Sequence, residues 1–162
     1  MTAWSEVCAN RHLKDLPYKV ETNRFGKLLL SVRTLQDGRL KVLAGTQLDS
    51  LMPGGETLIS CGVDTTDGTR VADVAWVSAE RMAPYRESAS LPIAPEICIE
   101  VLSHANTREE MLGKMPLYFS VGAREVWLCH EQGAMEFFLF DKPGPSTNSI
   151  LCAAFSAQLQ LD

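Results

Sequence analysis

Apolar residues recur along this chain with two different periods, and the switches between them mark out its elements. Between Leu35 and Met52 the residues Leu40, Leu43, Ala44, Leu48 and Leu51 return at helical spacing, which predicts a helix that Pro53-Gly54-Gly55 stops. Ahead of it, Tyr18 to Ser31 reads as extended chain around a turn at Asn23 to Gly26, a hairpin. Behind it, Thr57 to Val63 and Arg70 to Val77 are rich in β-branched or aromatic residues. The Asp-Gly pair in Asp64-Thr65-Thr66-Asp67-Gly68 joins them as antiparallel strands. A loop follows from Ser78 to Pro92, and Ile97 to Leu102 is continuous enough in apolar character to be a strand buried on both faces.

Thr107 and Glu110 form a capping box for a second helix, whose stripe of Met111, Met115 and Tyr118, with Leu112 and Phe119, ends near Gly122. Pro116 lies inside it, removing one backbone bond and predicting a bend. Glu125 to Cys129 and Met135 to Phe140 are two further strands around Gln132-Gly133, and Pro143 to Ser149 loosens the chain before a short C-terminal tail. The order hairpin, helix, three strands, helix, two strands predicts a mixed α/β fold. The helix between Leu102 and Glu125 makes the strands it joins parallel neighbours through a right-handed crossover.

Length and charge narrow this picture. At 162 residues with 46% hydrophobic content, one domain over 1–162, with its core at about 17–141, is expected. No window has the apolar length of a membrane span or a signal peptide, so a cytoplasmic protein without a membrane partner is expected. The five cysteines are widely spaced and lack a CxxC pair, which predicts reduced thiols, with Cys98 and Cys129 acting as small core hydrophobes. His12, His104 and His130 show no metal-ligand spacing. The net charge of −5 excludes an obligate nucleic-acid coat protein but is uneven. Up to Leu48 eight basic residues face four acids, and from Asp49 onward seven face sixteen, so a nucleic-acid surface would draw on the N-terminal third.

The candidate chemistry begins with two misplaced acids. Asp73 stands alone in Val71-Ala72-Asp73-Val74-Ala75-Trp76-Val77, and Glu100 stands alone among Ile97, Cys98, Ile99, Val101 and Leu102. Burying an unpaired carboxylate costs several kcal/mol unless something compensates. One compensator is a shared divalent ion, Mg²⁺ or Mn²⁺, without which mutual repulsion would raise a carboxylate pKa and strain the site. The alternative is bonding to backbone amides or to an arginine such as Arg70 or Arg124. Lys114 shares the helical face of Met111 and Tyr118 and should point toward the sheet. It is either a snorkelling stem or a cation aimed at the carboxylates, where it would orient a nucleophile and stabilise developing charge.

The residues Val71-Ala72-Asp73-Val74-Ala75-Trp76, Ala94 to Ser103, Lys114 with Leu117-Tyr118-Phe119, and Gly122 to Leu128 resemble the Uma-two family of restriction endonucleases, within the PD-(D/E)XK nuclease superfamily. The resemblance runs from about Pro17 to Phe140. It implies a restriction-endonuclease-like core of helix, three strands, helix and strand with an N-terminal β-hairpin. It also implies that Asp73 and Glu100 are the metal-holding acids and that Lys114 is the superfamily lysine moved from the strand, where Leu102 stands, onto the helix. Glu21, in Lys19-Val20-Glu21-Thr22-Asn23, resembles the family's N-terminal acid and would complete the catalytic set. Departures include Ala72 and His104 in place of prolines, and Val32 and Asp37 where relatives carry proline and histidine.

The expected function is therefore Mg²⁺- or Mn²⁺-dependent hydrolysis of phosphodiester bonds in DNA, in which Asp73 and Glu100 hold the ion and Lys114 orients water. A homodimer is expected, since double-strand cleavage needs two sites. The alternative is a catalytically inactive nuclease-fold module that binds nucleic acid or a partner. A small-molecule hydrolase has no GxSxG or Ser-His arrangement behind it.

Overall fold

Both long helices begin where side chains can cap them. In the computed structural model, which describes residues 3–104 and 106–162, Thr34 and Asp37 form a capping box at the start of the helix Leu35–Leu51, and Thr107 and Glu110 form another at the start of Arg108–Ser120. A short helix, α1 (Trp4–Ala9), comes first, where the sequence reads only as polar. Then follow the hairpin β1 (Tyr18–Thr22) and β2 (Leu28–Val32), helix α2 (Leu35–Leu51), and strands β3 (Gly55–Thr65) and β4 (Gly68–Ser78). The stretch expected as loop after Ser78 carries one helical turn, α3 (Ala79–Met82), capped by the Ser78 hydroxyl, and a 3₁₀ turn. Strand β5 (Ile97–Val101), helix α4 (Arg108–Ser120), and strands β6 (Glu125–Cys129) and β7 (Met135–Leu139) complete the order. Pro116 is accommodated within α4.

The sheet runs β3-β4-β5-β6-β7, antiparallel except for the parallel pair β5 and β6 on either side of α4, as the crossover rule requires. β5 and β6 are buried at every residue, because helices cover both faces. On one face Leu40, Ala44 and Leu48 of α2 pack on Val74, Ile97, Ile99 and Trp127. On the other, Tyr118 of α4 packs with Ala75, Cys98 and Val126. The C-terminal segment is a correction to its expected role as a tail: Cys152, Phe155 and Leu159 are buried in the α2-side core, with the Phe155 ring 4.7 Å from that of Trp127. Glu125 secures it, accepting from the Ser149 hydroxyl, the Ile150 and Leu151 amides and the Trp127 indole.

The hairpin forms a separate two-stranded sheet that crosses β4. Thr69 N–H donates to the Thr22 hydroxyl and Arg24 N–H donates to Asp67, tying the two turns together. Gly68 has φ +82°, and a Cβ there would collide with the Thr22 carbonyl, so glycine permits the crossing.

Candidate active site

Strand β4 is paired on both sides along Val74 to Trp76 and loses both partners at Asp73. Its register with β5 ends at Val74 opposite Ile99, and its register with β3 passes from Ile59–Val74 to Cys61–Ala72, skipping Ser60, which takes a left-handed φ of 57°. The opening leaves the Val101 N–H to the side chain: Asp73 Oδ2 accepts from it at 2.8 Å. Asp73 and Glu100 thus stand side by side where the two strands part, 4% and 0% exposed.

Three other elements deliver the remaining groups. Lys19 and Glu21, two apart on β1, project from the same side of the hairpin. Lys114 and Tyr118, four apart on α4, reach the sheet from the other side. Lys41 arrives from α2. Lys114 Nζ lies 2.7 Å from Glu21 Oε1 and 2.8 Å from Glu100 Oε1. Lys19 Nζ lies 3.1 Å from Asp73 Oδ1 and 2.9 Å from Glu100 Oε2, and Lys41 Nζ lies 3.0 Å from Asp73 Oδ1. The Tyr118 hydroxyl donates to Glu100 Oε1 at 2.6 Å, and the Val71 amide donates to Glu21 Oε1 at 2.7 Å.

All four residues singled out from the sequence, Glu21, Asp73, Glu100 and Lys114, therefore meet in one cluster. Lys114 is a buried ion-pair member and not a snorkelling stem. Arg70, considered as a partner for the acids, pairs instead with Asp67. The sequence assigns no role in the site to Lys19, Lys41 or Tyr118. The spacing of Lys19 from Glu21 is a period-two signal that could have flagged the first. Nothing local points to Lys41.

The expected strain between the carboxylates is absent, because ammonium groups separate them. Burial pushes the Asp73 carboxyl up, but Lys19, Lys41, Lys114 and the Val101 amide outweigh it and hold its pKa well below the usual carboxylate range. Burial likewise raises Glu21, and Lys114, Lys19 and the Val71 amide bring it below its ordinary value. For Lys19 burial favours the neutral amine, yet Glu100, Asp73 and Glu21 hold it charged, with its pKa raised. Burial and then the Glu100 and Glu21 charges push the Tyr118 hydroxyl well above its ordinary value, so it stays a donor.

Asp73 Oδ1 and Glu100 Oε2 converge on one cation position, here that of Lys19 Nζ. Among the described residues no three His, Cys, Asp or Glu side chains form a ready cage. Two hard carboxylate oxygens sharing a cation nevertheless suit an oxygen-preferring ion that keeps several waters, as Mg²⁺ does. A cleft of about 540 Å³ between β2 and α4 reaches Glu21 and Lys114, bordered by Ser31, Asp67, Asn106 and Glu110.

The thiols stand apart from this chemistry. All five are free, and burial pushes Cys61 and Cys129 up to about 12, leaving them protonated and inert. Among the described residues no helix is long and apolar enough to cross a membrane.

No curated protein matches the chain. Among solved structures, a protein described as a putative nuclease of the DUF820 family from Anabaena variabilis superposes with a TM-score of 0.70 at 14% identity, over 92% of this chain and 87% of that one. That likeness shows that the two chains share a fold. The sequence model of the Uma2 family, described as putative restriction endonuclease, matches residues 15–151, and the chain belongs to that family.

Proposed function

We propose that this protein is a Mg²⁺- or Mn²⁺-dependent DNA endonuclease whose metal-holding residues are Asp73 and Glu100. The observation that carries the reading is the convergence of Asp73 Oδ1 and Glu100 Oε2 on one cation position beside the Lys114 ammonium. A divalent ion there would polarise a phosphodiester oxygen and acidify a bound water.

The chain's own groups account for the rest. The Val101 amide fixes Asp73 and the Tyr118 hydroxyl fixes Glu100, so neither acid needs to reorganise. An ammonium has three donors, and Glu21 and Glu100 engage Lys114 at two contacts. The third is available to a water or a phosphate oxygen in the adjoining cleft, which orients the nucleophile and stabilises charge on the phosphoryl group. Glu21, held by Val71, keeps Lys114 aimed. Hydrolysis adds the water oxygen to phosphorus and breaks one P–O ester bond, with one water proton going to the departing alcohol oxygen and the other to solvent. Two chains of a homodimer would supply one cut each to a duplex.

A second reading is motivated by the match of three carboxylates with three lysines, a cluster already balanced in charge: a nuclease-fold module that binds nucleic acid without cutting it. Purified protein incubated with supercoiled plasmid and Mg²⁺ or Mn²⁺ separates the two. The expected result is nicked and linear DNA from the wild type and at least a hundredfold loss in Asp73→Ala. Undiminished cleavage by that variant would sink the assignment of Asp73, and binding without cleavage by the wild type would favour the inactive module.

A further inference from the structure

The three lysines of the cluster are not equivalent. Lys41 touches Asp73, and Lys114 touches Glu21 and the Oε1 oxygen of Glu100. Lys19 alone among the described residues contacts both Asp73 and Glu100, through Asp73 Oδ1 and Glu100 Oε2. It stands on the point a shared metal ion would take.

We infer that Lys19 is a built-in competitor for the divalent cation, so that the site loads metal only as the Lys19 ammonium withdraws from between Asp73 and Glu100. This rests on the reading of those two acids as metal ligands. With Glu21, Asp73 and Glu100 against Lys19, Lys41 and Lys114, the formal charge is zero. A divalent ion added with Lys19 in place would bring the buried cluster to +2, with two cations in contact. Withdrawal of Lys19 brings it to +1 and removes the contact, and in a buried site that repulsion exceeds thermal energy many times over.

The surroundings allow such a movement. Lys19 lies in a narrow groove of about 10 Å³ that shares Ser31, Val32 and Asn106 with the 540 Å³ cleft. Ser31 is also the cross-strand partner of Lys19. An ammonium turned past it enters a space bordered by the carboxylates of Asp67, which pairs with Arg70, and of Glu110, which accepts from the Thr107 amide. Lys19 is thus a positioning residue that sets the affinity of the site for metal.

The test is calorimetric titration of Mn²⁺ into the full chain as wild type, Lys19→Met, Lys19→Gln, Lys19→Arg and Lys41→Met. Both neutral Lys19 variants should bind at least tenfold more tightly than the wild type. Lys19→Arg should bind no more tightly, and Lys41→Met should gain less than Lys19→Met. Equal or weaker binding by the neutral variants overturns the inference. Thermal melting adds a readout for variants too unstable to titrate: in EDTA Lys19→Met should melt below the wild type, and Mn²⁺ should raise its Tm by more than it raises that of the wild type. A Mn²⁺-induced shift no larger than that of the wild type also overturns it. Asp73→Asn separates the two levels of argument. Binding that depends on Asp73 but does not tighten in the Lys19 variants defeats this inference alone, whereas Mn²⁺ binding indifferent to Asp73, or absent from every form, defeats the metal-ligand reading as well.

Discussion

A carboxylate as deeply enclosed as Asp73 is charged only because of its neighbours, and this ties the stability of the fold to pH in both directions. Asp73 and Glu21 have folded pKa values below their ordinary ones. Their contribution is therefore present above about pH 4, the unfolded carboxylate value, and is lost as pH falls toward the depressed folded values. Lys19 has a raised folded pKa, so its contribution is complete below about pH 10.4 and is lost as pH rises through the folded value. Urea unfolding should accordingly show a plateau from about pH 5 to 8, with a decline below it as the carboxylates protonate. The decline above it begins with the buried Cys61 and Cys129 thiols, which keep protons that unfolded thiols lose at about pH 8.5, and steepens as Lys19 contributes. In the acid limb each carboxylate that stays ionised in the folded state while protonated in the unfolded state adds a slope of about 1.4 kcal/mol per pH unit. Asp73→Asn should make that limb shallower by about this amount, and an unchanged slope would mean that Asp73 is not held ionised. The cluster is no measure of net stability, since desolvation of buried ion pairs offsets much of their attraction. What it provides is a fixed array of charges at the point where the sheet opens.

Elements differ in how plainly their sequence announces them, and the difference follows the range of the forces involved. Helices α2 and α4 are readable because their signals are local: an apolar stripe at helical spacing and a stop in both, and a capping box for α4. The parallel pairing of β5 and β6 followed from the helix between them. Asp73 and Glu100 were readable as acids in apolar strands, and Lys114 as a lysine on an apolar face. The pairing of Lys19 and Lys41 with those acids was not, because it depends on how the hairpin and α2 dock against the opening in the sheet, which no local pattern encodes. The hairpin's docking rests on Gly68, whose backbone closes against Thr22 and Asn23 with φ +82°. Gly68→Ala meets both the Thr22 carbonyl and an unfavourable φ, a cost above about 1 kcal/mol. It should lower the unfolding midpoint and, by lifting β1, reduce plasmid cleavage more than its loss of stability explains. A variant with reduced stability but wild-type cleavage at a temperature where it is fully folded would show that the docking of β1 does not set the site.

On the scale of the molecule, the segment after Pro143 is the part whose role the sequence concealed, because it buries side chains without regular structure. Polar and turn-forming residues from Pro143 to Ser149 precede Cys152, Phe155 and Leu159, three apolar positions too sparse to declare a strand or a helix. They enter the core because Glu125, at the start of β6, gathers the Ser149 hydroxyl and the Ile150 and Leu151 amides, turning the chain back over Trp127 and Phe137. The buried carboxylate thus acts as a clasp, and its loss differs from the loss of any one apolar contact. Phe155→Ala removes a ring packed on two others and should cost about 3–5 kcal/mol. Glu125→Ala leaves four donors without their acceptor, including a buried indole N–H, and should cost at least as much. The two substitutions act on one segment, so the double variant should be less destabilised than the sum of the singles, with a coupling of about 0.5–3 kcal/mol. Additive losses by urea denaturation would mean that Glu125 and Phe155 hold the segment independently. The sub-additive result would make the return of the C-terminal segment a single cooperative step, closing the α2-side core behind the sheet that carries Asp73 and Glu100.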